Sequence, residues 1–408
     1  HKKSPILMSL FLKQILLFSL PLIFLFCLLL PLHHFHSHTH TQTHFPHNPT
    51  FSNPFSPPPR IAYFITGTKN DGSRIFRLLQ AVYHPRNYYL LHLDQFASPK
   101  QRLQLALKVG SVDVFVAAEN VNVIEKADAV NEEGSSPLGL VLHGAAVLLK
   151  WKMDWDWFVN LDASDYPLVP QDDFLHILSF VPRNLNFIEY NKNISPEEYQ
   201  KALEVIVDSR LYILLRGKMF VGDRKRVLPS AFKLFMGSQH VILNRKFVEY
   251  SIQGWENFPR LLLLYFTNTR SSHKGYFQTL ACNTMEFSDA VINSNLRFIN
   301  SDNTARDPSD FRAPNSDRIL KREVAFVGNV SADSPLLDMI DAHILHRGHG
   351  MVSPGGWCLG SSNWFSDPCD EWGDPSVLRP GPAAKELEKF LMKSIKDMSI
   401  KSSRCDHQ

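Results

Sequence analysis

From Arg60 onward the chain alternates short, almost wholly apolar runs with longer stretches in which apolar residues recur every three or four positions. Ile61-Ala62-Tyr63-Phe64-Ile65-Thr66 closes on Gly67 and reads as a buried strand. Over 74–83, Ile75, Leu78, Leu79 and Val82 share one helical face. Residues 88–94, Tyr-Tyr-Leu-Leu-His-Leu-Asp, predict a second strand that ends on an acid. A helix over 99–109 starts from a Ser98 cap with Pro99 in its first turn. Segments 112–116 and 121–124 read as short strands, and 138–150 as a helix. Trp157-Phe158-Val159-Asn160-Leu161-Asp162 is a further buried strand, and 171–180 continues the alternation. This β-α-β-α order predicts an α/β sheet with much parallel character. Ligands of such sheets sit beyond the carboxyl ends of the strands. Those ends are Gly67-Thr68, His92-Leu93-Asp94 and Asp162-Ala163-Ser164-Asp165.

The front of the chain has a different pattern. Residues 15–32 carry no charge over 18 positions, long enough for a spanning helix, with Pro21 expected to kink it. Lys13 precedes the run (Met8 is the nearest plausible start), whereas His and Pro follow it. The charge bias predicts a type II anchor: a cytoplasmic tail over 1–14, a transmembrane segment over 15–32 and a lumenal body. No small-residue cleavage site follows, which counts against a removed signal peptide. Residues 33–59 are rich in His and Pro and cannot bury a core, so they read as a stem. The body is expected over 60–360, with a C-terminal extension over 361–408 that contains a helix near 383–398.

Composition narrows the function classes. Apolar residues make up 44% and charged residues 20% of 408, which is globular and excludes a wholly disordered chain. With 43 basic and 40 acidic residues the net charge is only +3, which argues against a dedicated nucleic-acid binder. There is no glycine-rich dinucleotide fingerprint and no P-loop. Four cysteines follow the predicted anchor: Cys282, Cys358, Cys369 and Cys405. An oxidising lumen would favour disulfides among them, with the pairing left open.

The acids at the strand ends are the first candidates for chemistry. Asp94 suits either a nucleotide contact or a turn cap. Asp162 and Asp165 suit a divalent cation, although Asp-Ala-Ser-Asp is not the Asp-x-Asp spacing common in sugar-nucleotide enzymes.

Several longer blocks carry a resemblance. They are Tyr83-His84-Pro85-Arg86-Asn87-Tyr88-Tyr89-Leu90-Leu91-His92-Leu93-Asp94, Trp155-Asp156-Trp157-Phe158-Val159-Asn160-Leu161, Ala163-Ser164-Asp165-Tyr166-Pro167-Leu168, Asn186-Phe187-Ile188-Glu189 and Pro354-Gly355-Gly356-Trp357-Cys358. Together they resemble the plant branch of the core-2/I-branching and xylosyltransferase-related glycosyltransferases (family 14), nearest to the β-glucuronosyltransferases of arabinogalactan proteins. The resemblance implies a GT-A-like nucleotide-sugar-binding domain in the Golgi. It also implies an inverting, metal-independent transfer, with a UDP-sugar donor, a glycan or glycoprotein acceptor and no further cofactor. It places donor-cleft contacts at His92, Asp94, Gly237 and Ser238, and the strand-end position adds Gly67.

Two departures stand out against that pattern. The family's catalytic Glu falls on Lys274 within Ser271-Ser272-His273-Lys274-Gly275-Tyr276-Phe277. A lysine that keeps its proton at neutral pH cannot accept the acceptor's proton. The family's diphosphate-binding Arg-Lys pair falls on Gly328 and Asn329. Asp162 and Glu286 are replacement candidates for the base, and Lys321, Arg322 and Arg347 for the lost cations. Asn193-Ile194-Ser195 and Asn329-Val330-Ser331 are glycosylation sequons. The expectation is therefore an active transferase, with a catalytically inactive relative that binds a glycan, nucleotide or partner transferase as the alternative.

Overall fold

The computed structural model of the protein describes residues 57–191, 193–211, 218–254, 256–299, 324–360, 367–400 and 405. The apolar run 15–32 and the stem up to residue 56 lie outside them. Among the described residues no helix is long and apolar enough to cross a membrane.

Twelve strands are described. In chain order they are β1 (Ile61–Gly67), β2 (Tyr88–Leu93), β3 (Val121–Val123), β4 (Trp157–Asp162), β5 (Tyr166–Pro167), β6 (Asn186–Asn191), β7 (Ile206–Val207), β8 (Phe220–Val221), β9 (Met236–Asn244), β10 (Val291–Ile292), β11 (Arg297–Ile299) and β12 (Phe326–Gly328). Seven form the main sheet, in the order β10-β6-β9-β4-β1-β2-β3. The half from β4 through β1 and β2 to β3 is parallel, as the strand-helix alternation predicts. The other half is mixed, because β9 runs antiparallel to both β4 and β6. A small sheet β11-β12-β5 stands beside it, and β7 pairs with β8.

The apolar runs of β1 and β2 are continuous because both faces of these strands are covered. Ile61, Tyr63 and Ile65 point into one core, shared with the helices Gly72–Ala81, Pro99–Gly110 and Gln171–Ser179. Ala62 and Phe64 point into the other, under the helices Ser136–Trp151, Arg245–Gln253 and Tyr276–Asn283. The helix after Ser98 begins with a full capping box: Ser98 accepts from Gln101 N–H, and the Gln101 side chain returns the bond to the Ser98 backbone.

One expected strand is a helix. Residues 112–116 lie in Asp113–Ala118, entered from Val112, with acidic Asp113 in its first turn and left-handed Glu119 at its end. Val114 and Phe115 are buried on one face of this turn. Tertiary packing thus overrides the β preference of three valines.

At the C-terminus the helix Pro382–Ile400 places Leu387, Leu391 and Ile395 at four-residue intervals in the first core. It packs on Gln171–Ser179 and β10, with Lys385, Lys389, Lys393 and Lys396 exposed. Disulfides join Cys282 to Cys405 and Cys358 to Cys369. The first closes a 123-residue separation, so it strongly restricts the unfolded chain.

Candidate functional site

Parallel pairing brings three strand ends together. Thr66 at the end of β1 is opposite His92 of β2 on one side and Asp162 of β4 on the other. Beyond these ends lies a cavity of about 240 Å³, lined by Thr66, Gly67, Thr68, Asp94, Glu132 and Asp162 among others. A second cavity, of about 420 Å³, adjoins it across Arg74, Ala163 and Ser164.

Asp94 has both roles anticipated for it within reach. Its Oδ1 accepts from the Phe96 and Ala97 N–H groups, and its Oδ2 accepts from Thr68 Oγ1. It therefore caps the turn after β2 while lining the cavity. Asp94 N–H donates to Gly67 O, which clamps the two strand ends.

Asp162 is held on two sides. Thr66 Oγ1 donates to Oδ1 at 3.0 Å and Gln239 Nε2 to Oδ2 at 3.2 Å, with His240 Nε2 3.4 Å from the same oxygen. It lies deep in the body, yet 41% of its side chain is exposed through the cavity. Depth pushes its pKa above the ordinary carboxylate range, against the pull of Arg297, Thr66 and Gln239. Access to solvent makes that push smaller than depth alone implies.

Asp165 is sealed. Its Oδ2 accepts the Asp162 N–H at 2.6 Å and lies 3.4 Å from Arg297 Nη2. Arg297 is buried, donates to Asn160 O, and leaves its Nε and Nη1 without partners. Burial raises the Asp165 pKa to about 7, and Arg297 opposes the rise. An ordinary aspartate titrates near 3.9, so the folded chain keeps this proton through a window in which the unfolded chain has lost it. That stabilisation is complete below about pH 4 and disappears as pH rises through about 7. The melting temperature of the parent, relative to Asp165→Asn, is therefore expected to fall between pH 5 and pH 8. A constant difference across that range would show that the carboxyl titrates normally.

One ligand atom each from Asp162, Asp165 and His240 lies within 4.8 Å of the others, a spacing open to a metal ion. The guanidinium of Arg297 already supplies positive charge there, and Asp165 Oδ2 is already engaged. The group reads better as an internally compensated charge cluster than as a cation cage.

Other sequence candidates fall outside the cavity lining. His92 is buried, and its Nε2 accepts from Asp128 N–H, so it supports the loop over β2. Gly237 sits where β9 presses on β6 at a bulge, and an ideal Cβ there would overlap the Glu189 carbonyl. Ser238 Oγ accepts from His240 N–H and Asn295 Nδ2 inside the sheet. Glu286 is ion-paired with Lys246. Lys274 is exposed in the turn Ser272–Lys274, and its charge acts on Glu132 and His273. His273 is buried and pushed down to about 3 by burial and by Lys274.

Glu132, which sequence reasoning missed, is exposed on the loop before the helix Ser136–Trp151. Its pKa is raised by burial of its surroundings and by Asp162 and Asp94, with Lys274 opposing. The sequons sit on exposed Asn193 and exposed, left-handed Asn329. Arg347 is bonded to Asp341 and Tyr166. Lys321 and Arg322 lie outside the described residues.

Residues 328 and 329, where the resemblance would place an Arg-Lys pair, are closed to a simple reversal. An ideal Cβ on Gly328 would lie 2.9 Å from Asp165 Oδ1 and 3.3 Å from Arg297 Cδ. Asn329 has φ +61°, which a lysine adopts only with strain. Gly328→Arg with Asn329→Lys is expected to destabilise the fold by about 1–3 kcal/mol, measured by urea denaturation. An unchanged midpoint would mean that the segment relaxes freely.

The family model described as "Core-2/I-Branching enzyme" matches residues 61–323. Beta-glucuronosyltransferase GlcAT14B of Arabidopsis thaliana is 44% identical over 347 residues, covering 85% of this chain and 80% of its own. Beta-glucuronosyltransferase GlcAT14A of the same plant is 43% identical over 349 residues, covering 85% and 78%. Human Xylosyltransferase 1 is 27% identical over 246 residues, covering 60% of this chain and 24% of its own. The chain belongs to the Core-2/I-branching enzyme family of glycosyltransferases.

Proposed function

We propose that this protein transfers glucuronic acid from a UDP-sugar to a glycan acceptor with inversion and without a metal ion. Its setting is the Golgi membrane as a single-pass type II enzyme with a GT-A-type lumenal domain, and its acceptors are arabinogalactan proteins. Asn193 and Asn329 are its glycosylation sites. The reading is carried by the meeting of Gly67, Asp94 and Asp162 at one open cavity. The strand-end position suits a nucleotide, and the chain is 44% identical to a named β-glucuronosyltransferase.

The reaction needs a carboxylate to take the acceptor's proton. As the acceptor oxygen bonds to the anomeric carbon, the bond from that carbon to UDP breaks and its electrons leave on the β-phosphate. Asp162 is the base in this account. It opens to the cavity, is oriented by Thr66 and Gln239, and has a pKa pushed toward the working pH. No described hydrogen bond anchors the exposed Glu132 side chain, and Glu286 is paired with Lys246.

The test is transfer from UDP-glucuronic acid to β-galactan oligosaccharides by the full chain in EDTA, with UDP-xylose and UDP-N-acetylglucosamine alongside. The expected result is one added uronic acid, unaffected by EDTA; no product with any donor, with or without manganese, would contradict it. Lys274 at the family's base position favours a second reading, an inactive relative. Its signature is UDP binding without transfer.

A further inference from the structure

The two cavities meet at one cation. Arg74 lies in the first turn of the helix Gly72–Ala81 and lines both the 240 Å³ and the 420 Å³ cavity. It is the only Lys or Arg among the described residues that line the smaller one. In the larger one Arg77 is committed to Asp338 and Asp341 and Arg347 to Asp341, while Lys108 lies over the Phe76 ring and does not line the smaller cavity.

Arg74 spans the gap to the substituted segment. Its Nη2 donates to Val330 O at 2.7 Å, just after Gly328 and Asn329, and its Nη1 lies 3.4 Å from Asp71 Oδ1. A guanidinium has five N–H donors, and no other described bond uses the rest. The side chain keeps 27% of its surface exposed, and its positive charge acts on Asp165.

A nucleotide sugar carries its diphosphate in the middle, between nucleoside and sugar. A ligand occupying both cavities must lay that middle over the residues common to both. Those residues are Arg74, Ala163 and Ser164. We infer that Arg74 binds the diphosphate of the donor and takes the leaving-group charge that Gly328 and Asn329 cannot. This rests on the nucleotide-sugar reading above. The positive end of the helix Gly72–Ala81 acts in the same direction.

The test compares UDP with UMP by calorimetry, without added metal, on the full-length parent, Arg74→Gln and Arg74→Lys. Charge-assisted bonds to phosphate are strong, so Arg74→Gln is expected to weaken UDP roughly 10–100-fold. UMP should change by less than about threefold, and Arg74→Lys should keep part of the UDP preference. Gln still allows a bond to Val330 O, and an unchanged melting temperature would separate lost charge from lost structure. If Arg74→Gln weakens UDP and UMP equally, or leaves UDP untouched, the assignment to Arg74 falls while the donor reading stands. If the parent binds neither nucleotide, the donor reading itself falls.

Discussion

Asp162→Asn is expected to lower kcat by about 10²–10⁴-fold, the range that general-base catalysis contributes. The substitution keeps the acceptor for Thr66 Oγ1 and nearly the same volume, so the fold should persist. UDP should bind as well or better, because one negative charge leaves the cavity. The parent's kcat should also fall on the acidic side as Asp162 takes up its proton, and the residual rate of the variant should lack that limb. Glu132→Gln is the control. If it removes turnover while Asp162→Asn does not, the base is Glu132, on the loop that faces Lys274.

The second large effect is on stability. At pH 8, above the Asp165 pKa of about 7, Arg297→Met is expected to cost about 3–5 kcal/mol, the usual result of removing one partner of a buried charge pair. Asp165 would remain sealed with only the Asp162 N–H to satisfy it, and Asn160 O would lose a donor. Adding Asp165→Asn to Arg297→Met should recover part of the loss. Urea unfolding of the parent, the two single variants and the double variant measures the coupling. A cost below about 1 kcal/mol for Arg297→Met would show that the pair is hydrated or already neutral. These residues surround Asp162, so an intact Arg297 also fixes the floor on which the proposed base stands.

Much of the fold was legible because its signals are local. The runs at 61–67, 88–93 and 157–162 are apolar on both faces, bounded by Gly or Asp, and are followed by helical spacing. The misread segment, 112–116, contains three valines within five residues, and only the burial of Val114 and Phe115 decides for helix.

The site was half legible. Asp94 and Asp162 announce themselves as acids at strand ends. Arg297 and Gln239 reach Asp162 or its neighbours from far along the chain, and no spacing rule connects them. Arg74 belongs to no motif, because its significance comes from lying between two cavities. Conversely, His92, Gly237 and Ser238 sit in matching motifs, yet their described bonds and contacts hold the sheet and its loops. A motif position marks a shared architecture; only the direction of the side chain assigns it to the cleft or to the core.

We propose that the cavity at the ends of β1, β2 and β4 runs an inverting transfer from a UDP-sugar. Proton NMR of the product formed from UDP-α-glucuronic acid and a β-galactan oligosaccharide tests it most directly. The expected result is a new β-anomeric signal that accumulates in step with UDP, in EDTA, and disappears with Asp162→Asn. An α-linked product, or Asp162→Asn and Glu132→Gln variants that are both as active as the parent, would contradict it.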